Sequence, residues 1–216
     1  MPEIIYSKKI DLPKLAECHR SAFPDSLSSR MGKKYLEEMI AWYLSDSSKI
    51  LFHAEVDGRC IGYCGGMILD GTQPTGSASG MMQYSFNSAV KAIMLRPWLL
   101  VHKEFLNKYK LIYKNIKRKF SGKKKQSEAL KKKKKKELPE KEMGLVVIGV
   151  SSDYHGKGIG SVLLQEFENK TKSMDIKKMG LAVRRENEKA LKSYQRNGWE
   201  ISKEHPGYFE MTKRIL

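Results

Sequence analysis

The apolar positions along the chain change period repeatedly, and the changes mark out an alternation of short strands and helices. Glu3 to Ser7 reads as a first strand, followed by a helix whose cap falls at Asp11 with Pro13 in its first turn, where a missing N–H costs nothing. A second helix is predicted from about Gly32 to Leu44. Strands at Ile50 to Val56 and Cys60 to Leu69 flank Asp57 and Gly58, a strong signal for a two-residue hairpin. From Met143 onward, Leu145, Val146, Val147, Ile148 and Val150 form a buried-strand run. After a polar turn, Val162, Leu163, Leu164 and Phe167 recur at helical spacing. Leu181, Ala182 and Val183 make a further short strand, and Trp199 to Lys203 and Tyr208 to Lys213 would close a sheet through a turn at His205, Pro206 and Gly207.

Glycines cluster where the Met143 to Val150 strand gives way to a helix, at Gly156, Gly158 and Gly160. Lacking a Cβ, they let the backbone approach a ligand closely, and the unpaired N–H groups of a first helical turn point at whatever sits there. A phosphate or pyrophosphate suits such a loop, and Lys157 adds a cation at its rim. Glycines also end strands for structural reasons alone. The spacing is neither that of the Rossmann fingerprint nor that of the P-loop.

What the segment resembles is motif A of the GNAT superfamily of acyl-CoA-dependent N-acetyltransferases: Arg or Gln, two residues, Gly, one residue, then Gly or Ala. Here His155, Gly158 and Gly160 stand at those places, with the apolar strand position Val150 five residues before His155. Downstream, Asn187, Ala190, Tyr194, Gly198 and Trp199 resemble motif B in order and spacing. The resemblance implies an α/β (α+β) GNAT fold: a mixed, mostly antiparallel central sheet flanked by helices, with residues 1–216 forming one acetyltransferase domain.

It also implies roles. Acetyl-CoA would be the donor, its pantetheine lying along backbone groups of Ile148, Gly149 and Val150 and its pyrophosphate held by His155, Gly156, Lys157, Gly158, Ile159, Gly160 and Ser161. Asn187 would bond the pantetheine arm, and Tyr194 would stand by the sulfur and protonate the leaving thiolate. His155 departs from the usual Arg or Gln, and an imidazole is only partly charged near neutrality. The strand supplies no acidic residue or histidine as general base, so the base comes from elsewhere, with Glu142, His53 and His205 as candidates, or a water chain serves; each of the three is also explained as a surface carboxylate or buried histidine.

The loop between the first two helices, Ala22 to Gly32, contributes to the acceptor pocket in this family. Phe23, Ser26, Leu27 and Arg30 are its candidate substrate contacts, a set suited to phosphate or sugar hydroxyls. The segment also resembles acetyltransferases of bacterial surface-polysaccharide synthesis, so an amino sugar leads as acceptor. Small amines and peptide amines are the enzymatic alternatives, and a non-catalytic acyl-CoA-binding domain is the alternative of another class.

At 216 residues the chain has room for one sizeable core. No apolar run reaches the length of a membrane span and no basic-then-apolar leader opens the chain, which makes a cytoplasmic location the expectation. Cys18, Cys60 and Cys64 suit reduced thiols better than a disulfide framework, Cys60 and Cys64 share a strand face by parity, and no metal site is expected.

Charge changes the picture most. Residues 71–141 carry 19 Lys and Arg against four Glu, a net of +15 that leaves +2 of the chain's +17 for everything else. This stretch is a basic, largely helical insertion between the third and fourth strands. Gly71 to Gly80 reads as turn-rich, and Phe86 to Met94 as a helix broken by Arg96 and Pro97, which could open another. Val101, Phe105, Tyr109, Ile112, Ile116 and Phe120 then recur at helical spacing with lysines off the stripe. Such a stripe could pack on the domain, join a second copy in a homodimer, or dock peripherally on the inner face of an anionic membrane. The lysine run Lys131 to Lys136 reads as a solvated loop. No stacking platform or reader motif accompanies it, which argues against nucleic acid.

Overall fold

The computed structural model describes residues 2–71, 76–107, 113, 117 and 140–215. Seven strands form one sheet: β1 (Glu3–Tyr6), β2 (Lys49–Val56), β3 (Arg59–Leu69), β4 (Glu142–Val150), β5 (Lys178–Arg184), β6 (Glu200–Glu204) and β7 (Tyr208–Arg214). Their order is β1-β2-β3-β4-β5-β7-β6. Every neighbouring pair is antiparallel except β4 and β5, which are parallel because a helix crosses between them. Among the described residues the helices that bear on the site are α1 (Leu12–Ala22), α2 (Leu27–Met31), α3 (Lys33–Ala41), α4 (Ser77–Tyr84), α5 (Phe86–Leu95), the crossover α6 (Ile159–Ser173) and α7 (Glu188–Arg196).

Strand alternation sends apolar side chains to both faces of the sheet, and each face has its own core. On one, Leu163 and Phe167 of α6 are fully buried against Phe52, Ile61, Met143 and Met179. On the other, Leu15 of α1 and Ile40 of α3 pack with Leu51, Tyr43 and Tyr63. Each such side chain contributes roughly 1.5–3 kcal/mol by leaving water. Glycines on β3 set how closely the helices sit: a Cβ on Gly66 would run into the Phe167 ring at 2.5 Å, and one on Gly65 into Tyr43 at 2.7 Å.

Two bulges break the alternation, and both matter. Opposite β2, the register passes from Glu55↔Cys60 to Ala54↔Gly62, so Ile61 is an extra residue on β3. Cys60 consequently joins the α1 face and Cys64 the α6 face, overturning the shared face that parity predicts. All three cysteines are free and buried. On β4, the register passes from Gly66↔Leu145 to Gly65↔Val147, leaving Val146 as the extra residue.

Several expected boundaries shift for local reasons. Asp11 precedes α1 but does not cap it, because its carboxylate accepts the Lys8 N–H at 2.7 Å and the Lys14 ammonium at 3.0 Å. The Ala22 to Gly32 stretch contains the short helix α2, capped by Ser26, whose hydroxyl accepts the Ser29 N–H, and closed by Gly32 at φ +99. Part of the turn-rich Gly71 to Gly80 stretch is helical instead: α4 starts at Ser77, and Gly80 brings its backbone against the Trp42 ring. Pro97 opens a short 3-10 turn (Pro97–Val101) before residues 103–107 turn helical. The rest of the Val101 to Phe120 pattern lies largely, and Lys131 to Lys136 entirely, outside the described residues.

Candidate active site

The parallel pairing of β4 with β5 covers only Met143, Gly144 and Leu145, although β4 runs on to Val150 and β5 to Arg184. The two strands therefore splay, starting at the Val146 bulge. Opposite β3, the Ser151 N–H donates to the Ile61 carbonyl at 2.9 Å, which fixes the alternation: Gly149 and Ser151 aim their backbone groups at β3. Ile148 and Val150 aim theirs the other way, into the splay, where β5 no longer pairs with them.

At the mouth of the splay the chain makes a 3-10 turn (Ser152–Tyr154) and enters α6 through Gly156 at φ +77 and Gly158 at φ +79, both left-handed. The first helical bonds run from the Ser161 and Val162 N–H groups to the Gly158 carbonyl, so the N–H groups of Gly158, Ile159 and Gly160 precede them. A Cβ at Gly156, Gly158 or Gly160 would meet nothing within 4 Å, so the space over the loop is open. Lys157 lies over the Tyr154 ring at 4.7 Å. The His155 ring turns back, and its Nε2–H donates to the Val150 carbonyl at 2.9 Å. Its proton thus closes the end of β4 rather than facing the loop.

Helix α7 forms the other wall. Asn187 caps it by accepting the Ala190 N–H on Oδ1 at 3.2 Å, which leaves its amide NH2 unbonded among the described residues. Ala190, Leu191 and Tyr194 pack with Ile148 and Val150 against the α6-side core. Burial pushes the Tyr194 phenol well above its ordinary value, and the Cys64 thiol on β3 adds to the rise, so the hydroxyl keeps its proton at neutral pH. Sequence reasoning passed over Asn197. It donates from Nδ2 to the Ser161 hydroxyl at 3.2 Å and to the Ser193 carbonyl at 2.8 Å, tying the end of α7 to the glycine loop.

On the opposite face, a cleft of about 440 Å³ is lined by Glu17, Arg20, Ser21, Pro24, Ser29 and Arg30. Ser21 joins it to the end of β4: its hydroxyl pairs with those of Ser151 at 2.9 Å and Ser152 at 3.0 Å and accepts the Ser152 N–H. Of the four predicted substrate contacts, Arg30 lines the cleft, paired with Asp25 at 3.0 Å. The Phe23 ring covers Gly149 so closely that a Cβ there would stand 2.8 Å away. Ser26 caps α2, and Leu27 packs beside Met31, Ala92 and Leu99. Beneath the loop, His19 joins the Tyr63 hydroxyl at 2.5 Å through Nδ1 and Ser28 at 3.0 Å through Nε2. Burial pulls this imidazole down to about 4.

The candidate bases separate cleanly. His53 is fully buried between Ser7 at 2.9 Å and Glu55 at 3.1 Å, in a network that continues to Lys14 at the β1 side of the sheet. Glu142 sits at the far end of β4, paired with Lys178 at 2.6 Å over Gly180. His205 lies in the β6–β7 turn, beside the C-terminal end of β5, bonded to Glu210 at 2.8 Å and stacked on Tyr208. By register His53 faces Tyr63, which faces Gly149, so His53 and His205 both stand at the level of the splayed end, and His205 is the one in a turn and not fully buried. Among the described residues, no three His, Cys, Asp or Glu side chains cluster to hold a metal ion.

Residues 128–199 match the acetyltransferase (GNAT) family model, and this stretch holds the parallel β4–α6–β5 crossover with its glycine loop. The match spans 72 residues, a third of the chain, and makes that stretch similar to the acetyltransferase (GNAT) family. Over 69 residues, 32% of the chain, the sequence is 30% identical to YdhI, an uncharacterized protein of Bacillus subtilis (strain 168), and the match spans 43% of that protein. Solved structures share the whole fold. The PaiA N-acetyltransferase of Thermoplasma acidophilum, determined with coenzyme A, is 16% identical with a TM-score of 0.57, covering 100% of this chain and 99% of its own. NAA60 of Arabidopsis thaliana, determined with acetyl-CoA, is 13% identical with a TM-score of 0.56, covering 100% and 99%.

Proposed function

We propose that the protein transfers an acetyl group from acetyl-CoA to a primary amine by direct attack. The observation that carries this reading is the splay: Ile148 and Val150 present unpaired strand backbone, Tyr194 packs against the same core, and helix-start N–H groups stand at the mouth. Pantetheine amides would replace the missing β5 partner along Ile148 and the Val150 N–H, since His155 already occupies the Val150 carbonyl. The Asn187 NH2 adds a donor on the opposite wall. The pyrophosphate belongs over Gly156 to Ser161, where N–H groups converge and Lys157 supplies charge. The amine nitrogen attacks the thioester carbonyl, the C–S bond breaks, and the departing thiolate takes the Tyr194 proton. The proton the amine sheds goes, directly or through water, to His205, which is hydrogen-bonded to Glu210.

For the acceptor we favour an amino sugar bearing a phosphate. The cleft offers two guanidiniums, and Arg20 has no ion-pair partner among the described residues, while Ser21 and Ser29 suit sugar hydroxyls. Acetyl-CoA as donor fits a cytoplasmic location. The test is release of CoA thiol from acetyl-CoA with nucleotide-linked amino sugars, small amines and peptides in parallel. Release confined to the amino sugars supports the reading, and release confined to peptides or small amines moves the acceptor to that class. Acetyl-CoA binding with no release in any panel points to the non-catalytic alternative.

A further inference from the structure

The segment between β3 and β4 shows two apolar faces where a surface helix ordinarily shows one. Inward, Ala92 and Leu99 are buried with Met31, flanked by Leu27, Tyr35, Ala89 and Ile93. The Arg96 guanidinium also turns inward, lying over Gly32 and donating to the Met31 carbonyl at 3.3 Å. This seats α5 and the following 3-10 turn firmly on α2. Outward, Met94 is 76% exposed, Leu95 73%, Trp98 64% and Val101 73%, with Val90 and Leu100 beside them. A run of large apolar side chains this exposed marks an interaction surface rather than ordinary surface scatter.

Charge selects the partner. From Tyr84 to Lys103 the sequence contains no acidic residue, and the surrounding residues 71–141 carry the net +15 noted above. An apolar ridge with an indole near its centre, flanked by the exposed Lys91 and Lys103 in a segment of basic sequence, matches a bilayer surface bearing anionic headgroups: the ridge enters the acyl boundary and these cations meet the headgroups. No described helix is long and apolar enough to cross a membrane, so contact would be at the surface. A protein partner would call for acidic complementarity without requiring so many consecutive large apolar side chains to stand free.

We infer that the Met94 to Val101 ridge docks this protein peripherally on anionic lipid bilayers. Because α5 packs on α2, whose Ser29 and Arg30 line the cleft, docking would hold that cleft near the membrane surface. The inference does not depend on catalysis.

The full chain and a Met94→Glu/Trp98→Glu variant are sedimented with phosphatidylcholine vesicles, with and without phosphatidylglycerol, at low and high salt. Acetyl-CoA affinity serves as the check on folding, since both side chains are exposed and distant from the glycine loop in sequence. The expected result is binding that requires phosphatidylglycerol, weakens with salt, and falls at least about tenfold in the variant. Equal binding to neutral and anionic vesicles, or an unchanged variant, overturns the inference. So does a wild-type dimer in solution that the variant dissociates, since a second copy then covers the ridge.

Discussion

The two faces of β4 are built from different materials. Toward α6 and α7, the site consists of backbone: unpaired groups of Ile148 and Val150, left-handed glycines and a helix start. Toward α1 and α2, it consists of bonded side chains, most of them far apart along the chain: His19 with Tyr63 and the nearer Ser28, and Ser21 with Ser151 and Ser152. A backbone site reads groups common to every acyl-CoA, whereas a side-chain site can be rewritten one residue at a time. Donor recognition should therefore be fixed by strand and loop geometry, and acceptor recognition by the α1–α2 region. Substitutions on one face should leave the other's ligand untouched.

The largest effect is expected at Tyr194. Tyr194→Phe removes the thiolate's proton source and should lower kcat about 10²- to 10⁴-fold, with acetyl-CoA affinity unchanged by calorimetry. Equal turnover would remove Tyr194 from the mechanism.

On the acceptor face, His19 carries a pH signature. In the unfolded chain an imidazole takes its proton near pH 6.5, but in the fold His19 does so only at about 4. The unfolded state thus binds more protons in between, and stability falls as pH drops through that window, by up to about 3 kcal/mol. Denaturant unfolding at pH 7 and pH 4.5 should show that this share of acid sensitivity is missing in His19→Gln, while acetyl-CoA affinity stays near wild type. An identical pH slope in the two proteins would contradict the buried neutral imidazole.

Smaller effects sharpen the donor face. Gly158→Val forces a β-branched residue to φ +79, at about 1–2 kcal/mol of backbone strain. It should weaken acetyl-CoA measurably in a titration without altering the acceptor KM. Asn187→Ala loses the α7 cap, about 0.5–2 kcal/mol on thermal unfolding, together with one pantetheine donor.

The same contrast explains what the sequence discloses. The donor face is local: β4, the glycine loop, α6, β5 and α7 follow one another within about sixty residues, so apolar period and glycine spacing mark it directly. The Asp57-Gly58 hairpin is legible for the same reason, both residues adopting positive φ. The acceptor face is assembled from pairs such as Ser21 and Ser151, 130 positions apart, which no local pattern announces. Bulges are equally silent. Parity puts Cys60 and Cys64 on one face and makes β4 a regular strand, yet single extra residues at Ile61 and Val146 separate the thiols and open the splay. Composition is equally silent on the capping by Ser26 and the packing of Leu27 that shape the α1–α2 region.

The central claim is that acetyl-CoA takes the place of a strand beside the splayed end of β4. Residue-resolved amide hydrogen exchange, with and without acetyl-CoA, tests it most directly. The account predicts new protection at the Ile148 and Val150 amides and at Gly158 to Gly160, with Met143 to Leu145 already protected in both states. Acetyl-CoA binding that leaves the Ile148 and Val150 amides exchanging as before would contradict it.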